Sequence, residues 1–189
     1  MPAKWHNRKS VRLTDYDYSG PGAYFVTICT NNRRCILGTV EAGLVKLNKL
    51  GQMVELRWKK IPEHHPRVQL DQYIIMPNHL HGLLFFLQRN EGAAGCAPTS
   101  VLGGNPKPGS LSNVIRSFKA SVSRNAGETG CCLRGHLWQR SFYEHVIRNE
   151  MELQRVREYI VTNPLRWSFD RENTDGAAYC AHPFEKATP

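Results

Sequence analysis

No run of apolar residues in this 189-residue chain approaches the ~18 to 20 that a membrane span needs. The first twenty residues hold no apolar core of the signal-peptide kind. A membrane or secreted protein is therefore not expected, and the chain reads as cytoplasmic. The six cysteines (Cys29, Cys35, Cys96, Cys131, Cys132 and Cys180) include no Cys-x-x-Cys pair and no dense spacing. That argues against a disulfide scaffold or a zinc finger and predicts free thiols in a reducing compartment. Acid is scarce as well: 16 Asp and Glu face 25 Lys and Arg, a net charge of +9 with the histidines neutral. No internal repeat is visible.

What is present fits a folded soluble domain. A 41% hydrophobic and 22% charged composition is not that of a disordered basic tail, and the length suits one sizeable core. The positive charge is unevenly placed. Residues 1–88 carry 12 basic and 6 acidic side chains, residues 89–149 carry 8 and 3, and residues 150–189 carry 5 and 7. A polyanion such as nucleic acid is the natural partner of the first three quarters, because each neutralised phosphate releases counterions.

The pattern of residues predicts four strands and three helices. AYFVTICT (23–30), VQLDQYIIMP (68–77), HLHGLLFFL (79–87) and SFYEHVIR (141–148) read as strands, with Met76-Pro77-Asn78 as a tight turn. Leu47, Leu50, Met53, Val54 and Leu56 recur at helical spacing and predict a helix from Val45 to about Ile61. Residues 110–125, with Ser110 as N-cap, predict a second helix, and Asn149 predicts the cap of a last one ending near Asn163-Pro164. Residues 88–109, with five Gly and three Pro, read as a linker or a lid. The order is strand, helix, strand, strand, helix, strand, then an extra helix. This predicts an α+β, ferredoxin-like split β-α-β fold, an antiparallel sheet with helices on one face. One domain is expected over 1–167, with 168–189 an irregular tail.

Two features could carry chemistry. On a strand, His79 and His81 project to the same face, so a shared divalent metal could use both neutral imidazoles. Two histidines do not complete a site, and a third ligand is needed. Tyr143 lies in GHLWQRSFYEHVIR with Arg134, Arg140 and Arg148 around it. Cations there would favour the ionised phenol and hold a phosphate beside it, the setting of a covalent nucleophile.

The stretches RKSVRLTDYDYSGPGAYFVTICTNNRRCILG (8–38), DQYIIMPNHLHGLLFF (71–86), GSLSNVIRSFKASVSRN (109–125) and GHLWQRSFYEHVIRNEMELQRVREYIVTNPLRW (135–167) resemble the REP-associated tyrosine transposases. These belong to the single-tyrosine HUH transposase superfamily. The resemblance implies that His79 and His81 are metal ligands, with Leu80 between them, and that Tyr143 is the nucleophile. It implies metal-dependent cleavage and rejoining of single-stranded DNA near hairpins, through a 5′-phosphotyrosine and a free 3′-hydroxyl. It implies Mg2+ or Mn2+ as cofactor, DNA as partner, a possible homodimer and a nucleoid-associated cytoplasmic location. Related insertion-sequence transposases place a polar third ligand four residues after the tyrosine. Here that position is Ile147, so His145 is the tentative third ligand, with Gln139 and Asn78 as other candidates.

Arg116, Lys119, Arg140 and Arg148 are the expected phosphate contacts, and Lys4, Arg8, Lys9 and Arg12 could form a DNA-reaching arm. Two rival readings stay open at this point. One is a non-catalytic, sequence-specific DNA-binding protein on the same fold. The other is a metal hydrolase in which water, not tyrosine, attacks.

Overall fold

The computed structural model describes residues 18–88, 107–129, 135–170 and 172–173. The predicted arm residues Lys4, Arg8, Lys9 and Arg12 lie outside the described residues, as does most of the 88–109 loop. Strand β1 (Gly22–Cys29) leads through the hairpin β2 (Gly38–Glu41) and β3 (Leu44–Leu47) to helix α1 (Lys49–Lys59) and the single turn α2 (Ile61–His64). Strands β4 (Val68–Ile75) and β5 (His79–Phe86) follow, then α3 (Leu111–Asn125), β6 (Tyr143–Ile147) and α4 (Glu150–Thr162). A 3-10 segment, Asn163–Phe169, continues from α4. Among the described residues no helix is long and apolar enough to cross a membrane.

The main sheet has the order β4-β5-β1-β6 with every pairing antiparallel, which is the expected split β-α-β arrangement. Alternation along the strands divides the side chains between two faces. Tyr24, Val26, Ile28, Leu80, Leu84 and Phe86 face α1 and α3 and form the main core with Leu50, Val54, Trp58, Val114, Phe118 and Val122. Gly82 belongs to that face: a Cβ there would sit 2.3 Å from Trp58 Cζ2, so only glycine lets the indole lie on the sheet. The opposite face carries Phe25 and Leu83, packed under Leu153, Val156 and Ile160 of α4. The expected helix pair thus shares one face, and the extra helix covers the other.

One element differs from its sequence reading. The helix predicted from Val45 begins at Lys49, with Asn48 Oδ1 accepting the Gly51 amide at 2.9 Å as its N-cap. Val45 to Leu47 instead pair with Gly38–Val40 in a hairpin. Ala42 and Gly43, both at positive φ, make its two-residue turn. Val45 and Leu47 fit a strand's period of two as well as a helical face, and the turn decides between them.

Candidate metal centre

Register brings the two histidines together. His79 lies opposite Cys29 and His81 opposite Thr27, so both imidazoles stand on the face covered by α4. Both are fully buried, with ring centroids 4.4 Å apart. Asn78 sets the tautomer of His79. Its Nδ2 donates to the carbonyls of Arg33 (3.2 Å) and Glu172 (2.6 Å), so its Oδ1 is the atom that accepts from His79 Nδ1 at 2.7 Å. The proton on Nδ1 leaves Nε2 with a lone pair, buried and without a hydrogen-bond partner among the described residues. Burial, with Arg33 nearby, pushes the His79 pKa down to about 3, so the ring is neutral. His81 pairs through Nδ1 with Thr27 Oγ1 at 2.8 Å, and its Nε2 lies 3.4 Å from the Tyr159 hydroxyl.

The remaining groups come from α4 and the segment after it. Asn149 caps α4 by accepting the Glu152 amide at 2.9 Å, and Arg157 pairs with Asp71 on β4 at 2.7 Å. These contacts and the apolar seam under Leu153, Val156 and Ile160 hold Tyr159 over the histidines, ring to ring 5.2 Å from His81. Four residues on, one helical turn further along the same face, Asn163 is buried. Its Nδ2 donates to Asp170 Oδ2 at 2.7 Å, and its Oδ1 has no hydrogen-bond partner among the described residues. Asp170 is buried, with Oδ2 4.0 Å from His79 Nε2 and Oδ1 accepting the Glu172 amide at 2.7 Å. One ligand atom from each of His79, His81 and Asp170 lies within 4.8 Å of the others.

Two imidazoles, a carboxylate and an adjacent amide oxygen fit a divalent cation. The buried lone pair of His79 Nε2 and the bare Oδ1 of Asn163 are costly without a partner, and an ion would give them one. The two nitrogen donors suit manganese better than magnesium, which prefers oxygen.

The comparisons with known proteins bear on the fold and the family. No protein-family model matches the chain. An uncharacterized protein of Haemophilus influenzae is 35% identical over 173 residues, covering 90% of this chain and 95% of its own. A REP-associated tyrosine transposase of Escherichia coli is 22% identical over 158 residues, 84% of this chain and 75% of its own. A solved REP-associated tyrosine transposase bound to a REP hairpin superposes with a TM-score of 0.55 at 20% identity, over 82% of this chain and 73% of that one. The chain has the REP-associated tyrosine transposase fold. It also belongs to one family with the Haemophilus protein.

Within this transposase fold the residues singled out from sequence fall into three groups. His79 and His81 are at the centre. Asn78 is beside it, bonded to His79 as a support. Tyr143 is on the same face and in the same row: Thr27 lies opposite both His81 and Tyr143, so a full strand stands between them. Two strand spacings place the Tyr143 backbone roughly 10 Å from that of His81, and its ring packs 6.4 Å from Phe25. His145 does not join the histidines. It lies opposite Phe25, one row further off, and its Nε2 bonds Glu152 at 2.7 Å. Where the sequence reading expected His145 as third ligand, the geometry instead places Asp170 beside His79 and His81.

The remaining predicted residues lie away from the centre. Gln139 is engaged through its backbone, its amide donating to Cys29 O and its carbonyl accepting from Lys119 Nζ at 2.9 Å. Arg116 and Lys119 sit on α3, beyond the other face of the sheet. Lys119 Nζ also donates to Ser141 O, and burial pushes its pKa down to about 8. Arg140 and Arg148 are exposed on either side of β6. Of the cysteines described, Cys29 is buried and donates to Glu172, and Cys35 is exposed.

The sequence reading missed Tyr159, Asn163 and Asp170. One signal was available: Tyr159-x-x-x-Asn163 has the tyrosine and fourth-residue polar group that Tyr143 and Ile147 lack. The tail boundary drawn at residue 167 falls inside the 3-10 segment, and Asp170 follows it directly.

Proposed function

We propose that this chain is a DNA strand transferase: it cleaves single-stranded DNA beside a hairpin and rejoins it through a tyrosine–phosphate linkage. The observation that carries the reading is the Tyr159 hydroxyl 3.4 Å from His81 Nε2, on a face where His79, Asp170 and Asn163 converge. His79, His81 and Asp170 would hold the metal, with Asn163 Oδ1 as a further donor. A divalent ion there supplies positive charge to the scissile phosphate and offsets the charge that develops on its oxygens.

The chain's own groups do the rest. Tyr159 loses its phenolic proton, and its oxygen forms a bond to phosphorus. The bond from phosphorus to the 3′-oxygen breaks, and that oxygen keeps the electron pair and takes up a proton. The 5′-phosphate stays on the tyrosine, so the linkage energy is retained for rejoining without ATP. Asn78 and Thr27 orient the two imidazoles, and α4 closes the site against bulk water. Action on hairpin DNA follows the relative solved with a REP hairpin, and the excess of basic residues before residue 150 suits that partner. Cytoplasmic work at the nucleoid is part of the same proposal.

A second reading keeps Tyr143 as the nucleophile, because it shares the row of His81 across Thr27. The two part on one experiment: incubation of a labelled hairpin with an unpaired flank, in Mn2+, followed by denaturing electrophoresis. Tyr159→Phe is expected to abolish the protein–DNA adduct, by more than about a thousandfold, and Tyr143→Phe to leave it. Loss in Tyr143→Phe alone would reverse the assignment. No adduct in the unmodified chain on any such hairpin would end the catalytic reading and favour a binding protein.

A further inference from the structure

The segment Asn163–Phe169 does more than carry the chain from Tyr159 to Asp170. In a 3-10 helix, side chains three apart lie one above the other. Pro164, Trp167 and Asp170 form the inward row, with Pro164 and Asp170 buried and Trp167 half-buried. The Trp167 ring lies 6.1 Å from that of His79, tilted by 37°. The outward row pairs Arg166 with Phe169, which is 53% exposed, and Leu165 beside it is 71% exposed. Leu165 in turn rests on the β2–β3 turn: a Cβ on Gly43 would fall 2.5 Å from Leu165 Cδ2.

Large apolar side chains left in water beside a polar centre, with a cation among them, mark a contact surface. The segment is also held still. Asn173 Nδ2 and the Asp170 amide both donate to Trp167 O, at 2.9 and 3.1 Å, and Asn163 is tied to Asp170. We propose that this segment is a platform that stacks the unpaired nucleobases next to the cleaved phosphate, one on the exposed ring of Phe169 in the outward row and one on the half-buried edge of Trp167 nearer His79, with Arg166 on the backbone between them. The inference rests on the proposed reaction for its placement, because the platform adjoins the residues that would hold the scissile phosphate. Its chemistry is separate. Flat aromatic faces take any base, and a rigid platform loses little entropy when one stacks. An apolar peptide would gain nothing from Arg166, and neither it nor a second copy of the chain would gain from a neighbouring site for a phosphate.

The test is fluorescence-anisotropy titration of the full chain, in EDTA, with labelled oligo-dT and with a strand of equal length made of abasic residues. Stacking is worth about 1 to 3 kcal/mol per base, so the unmodified chain should bind oligo-dT roughly tenfold or more tighter than the abasic strand. Trp167→Ala/Phe169→Ala should bring that ratio close to one with an unchanged salt slope, because the phosphate contacts remain. Phe169→Ala alone, at an exposed position, should give part of the loss without disturbing the fold, and Trp167→Phe should keep most of the preference. A ratio that the substitutions leave unchanged, or a ratio of one in the unmodified chain, would overturn the platform. So would a change in sedimenting mass in Phe169→Ala without a change in strand binding, since the patch would then join copies of the chain. Oligo-dT stacking without any tyrosine adduct would sink the proposed reaction and leave the platform standing, and an adduct without base preference would do the reverse.

Discussion

The two faces of the central sheet are made by the same strands and are built on opposite terms. On the face under α1 and α3, Ile28, Leu80 and Leu84 meet Val54, Trp58 and Phe118, and apolar burial dominates. On the face under α4, one residue along each strand, Thr27, His79 and His81 are equally buried, the two histidines gather with Asp170, and Asn163 is bonded to Asp170. The first face stabilises the fold. The second spends some of that stability, because buried polar atoms without partners cost free energy that a bound ligand could return. A single residue of register separates them, so β5 serves as core with Leu80, Gly82 and Leu84 and as site with His79 and His81.

This difference can be pressed from both sides. The largest expected effect lies on the packed face. Trp58→Ala should cost about 3 to 5 kcal/mol of unfolding free energy, read in a urea titration, with any metal response retained in the folded fraction. A cost under about 1 kcal/mol would mean the indole is not the keystone that its contact with Gly82 implies.

Next in size is the metal response of the other face. Mn2+ at about a hundredfold over its dissociation constant should raise stability by about 2.7 kcal/mol. The rise should be absent in His79→Ala and in Asp170→Ala. A rise that survives Asp170→Ala would move the ion elsewhere.

The smallest effect separates the third-ligand candidates. His145→Ala should lose only about 0.5 to 1 kcal/mol, the worth of a partly exposed pair with Glu152, and keep both the metal response and adduct formation. Burial raises the Glu152 carboxyl, but bonds from the Arg148 amide and His145 outweigh it and hold the pKa below the usual carboxylate range. Its contribution is therefore present above the unfolded carboxylate pKa of about 4.3 and lost as the pH falls further. A metal response abolished in His145→Ala would restore that residue as a ligand.

The contrast between the faces also explains what could be read from the sequence. The packed face was legible because apolar periodicity is local: the apolar alternation of 79–87 and the spacing in 110–125 are properties of short windows. His79 and His81 were legible for the same reason, as two positions on one strand face. The hairpin at Gly38–Leu47 was not, because Val45 and Leu47 satisfy two periods at once. Asp170 was not, because a 3-10 segment brings it to histidines 91 and 89 positions earlier. Tyr159 was hidden by the amphipathic pattern of its own helix, whose inward face is fully accounted for by Leu153, Val156 and Ile160. Tyr143 stood out because arginines flank it in sequence, yet Arg140 and Arg148 are exposed at the ends of β6 and do not gather at the histidines.

The central claim is that α4 delivers the nucleophile to the histidine face. Digestion of the trapped protein–DNA adduct with nuclease and trypsin, followed by mass spectrometry, tests it most directly. Cleavage after Arg140, Arg148, Arg157 and Arg166 puts Tyr143 in the peptide 141–148 and Tyr159 in the peptide 158–166. A nucleotide mass on 158–166 is the predicted result, and the same mass on 141–148 would contradict the account.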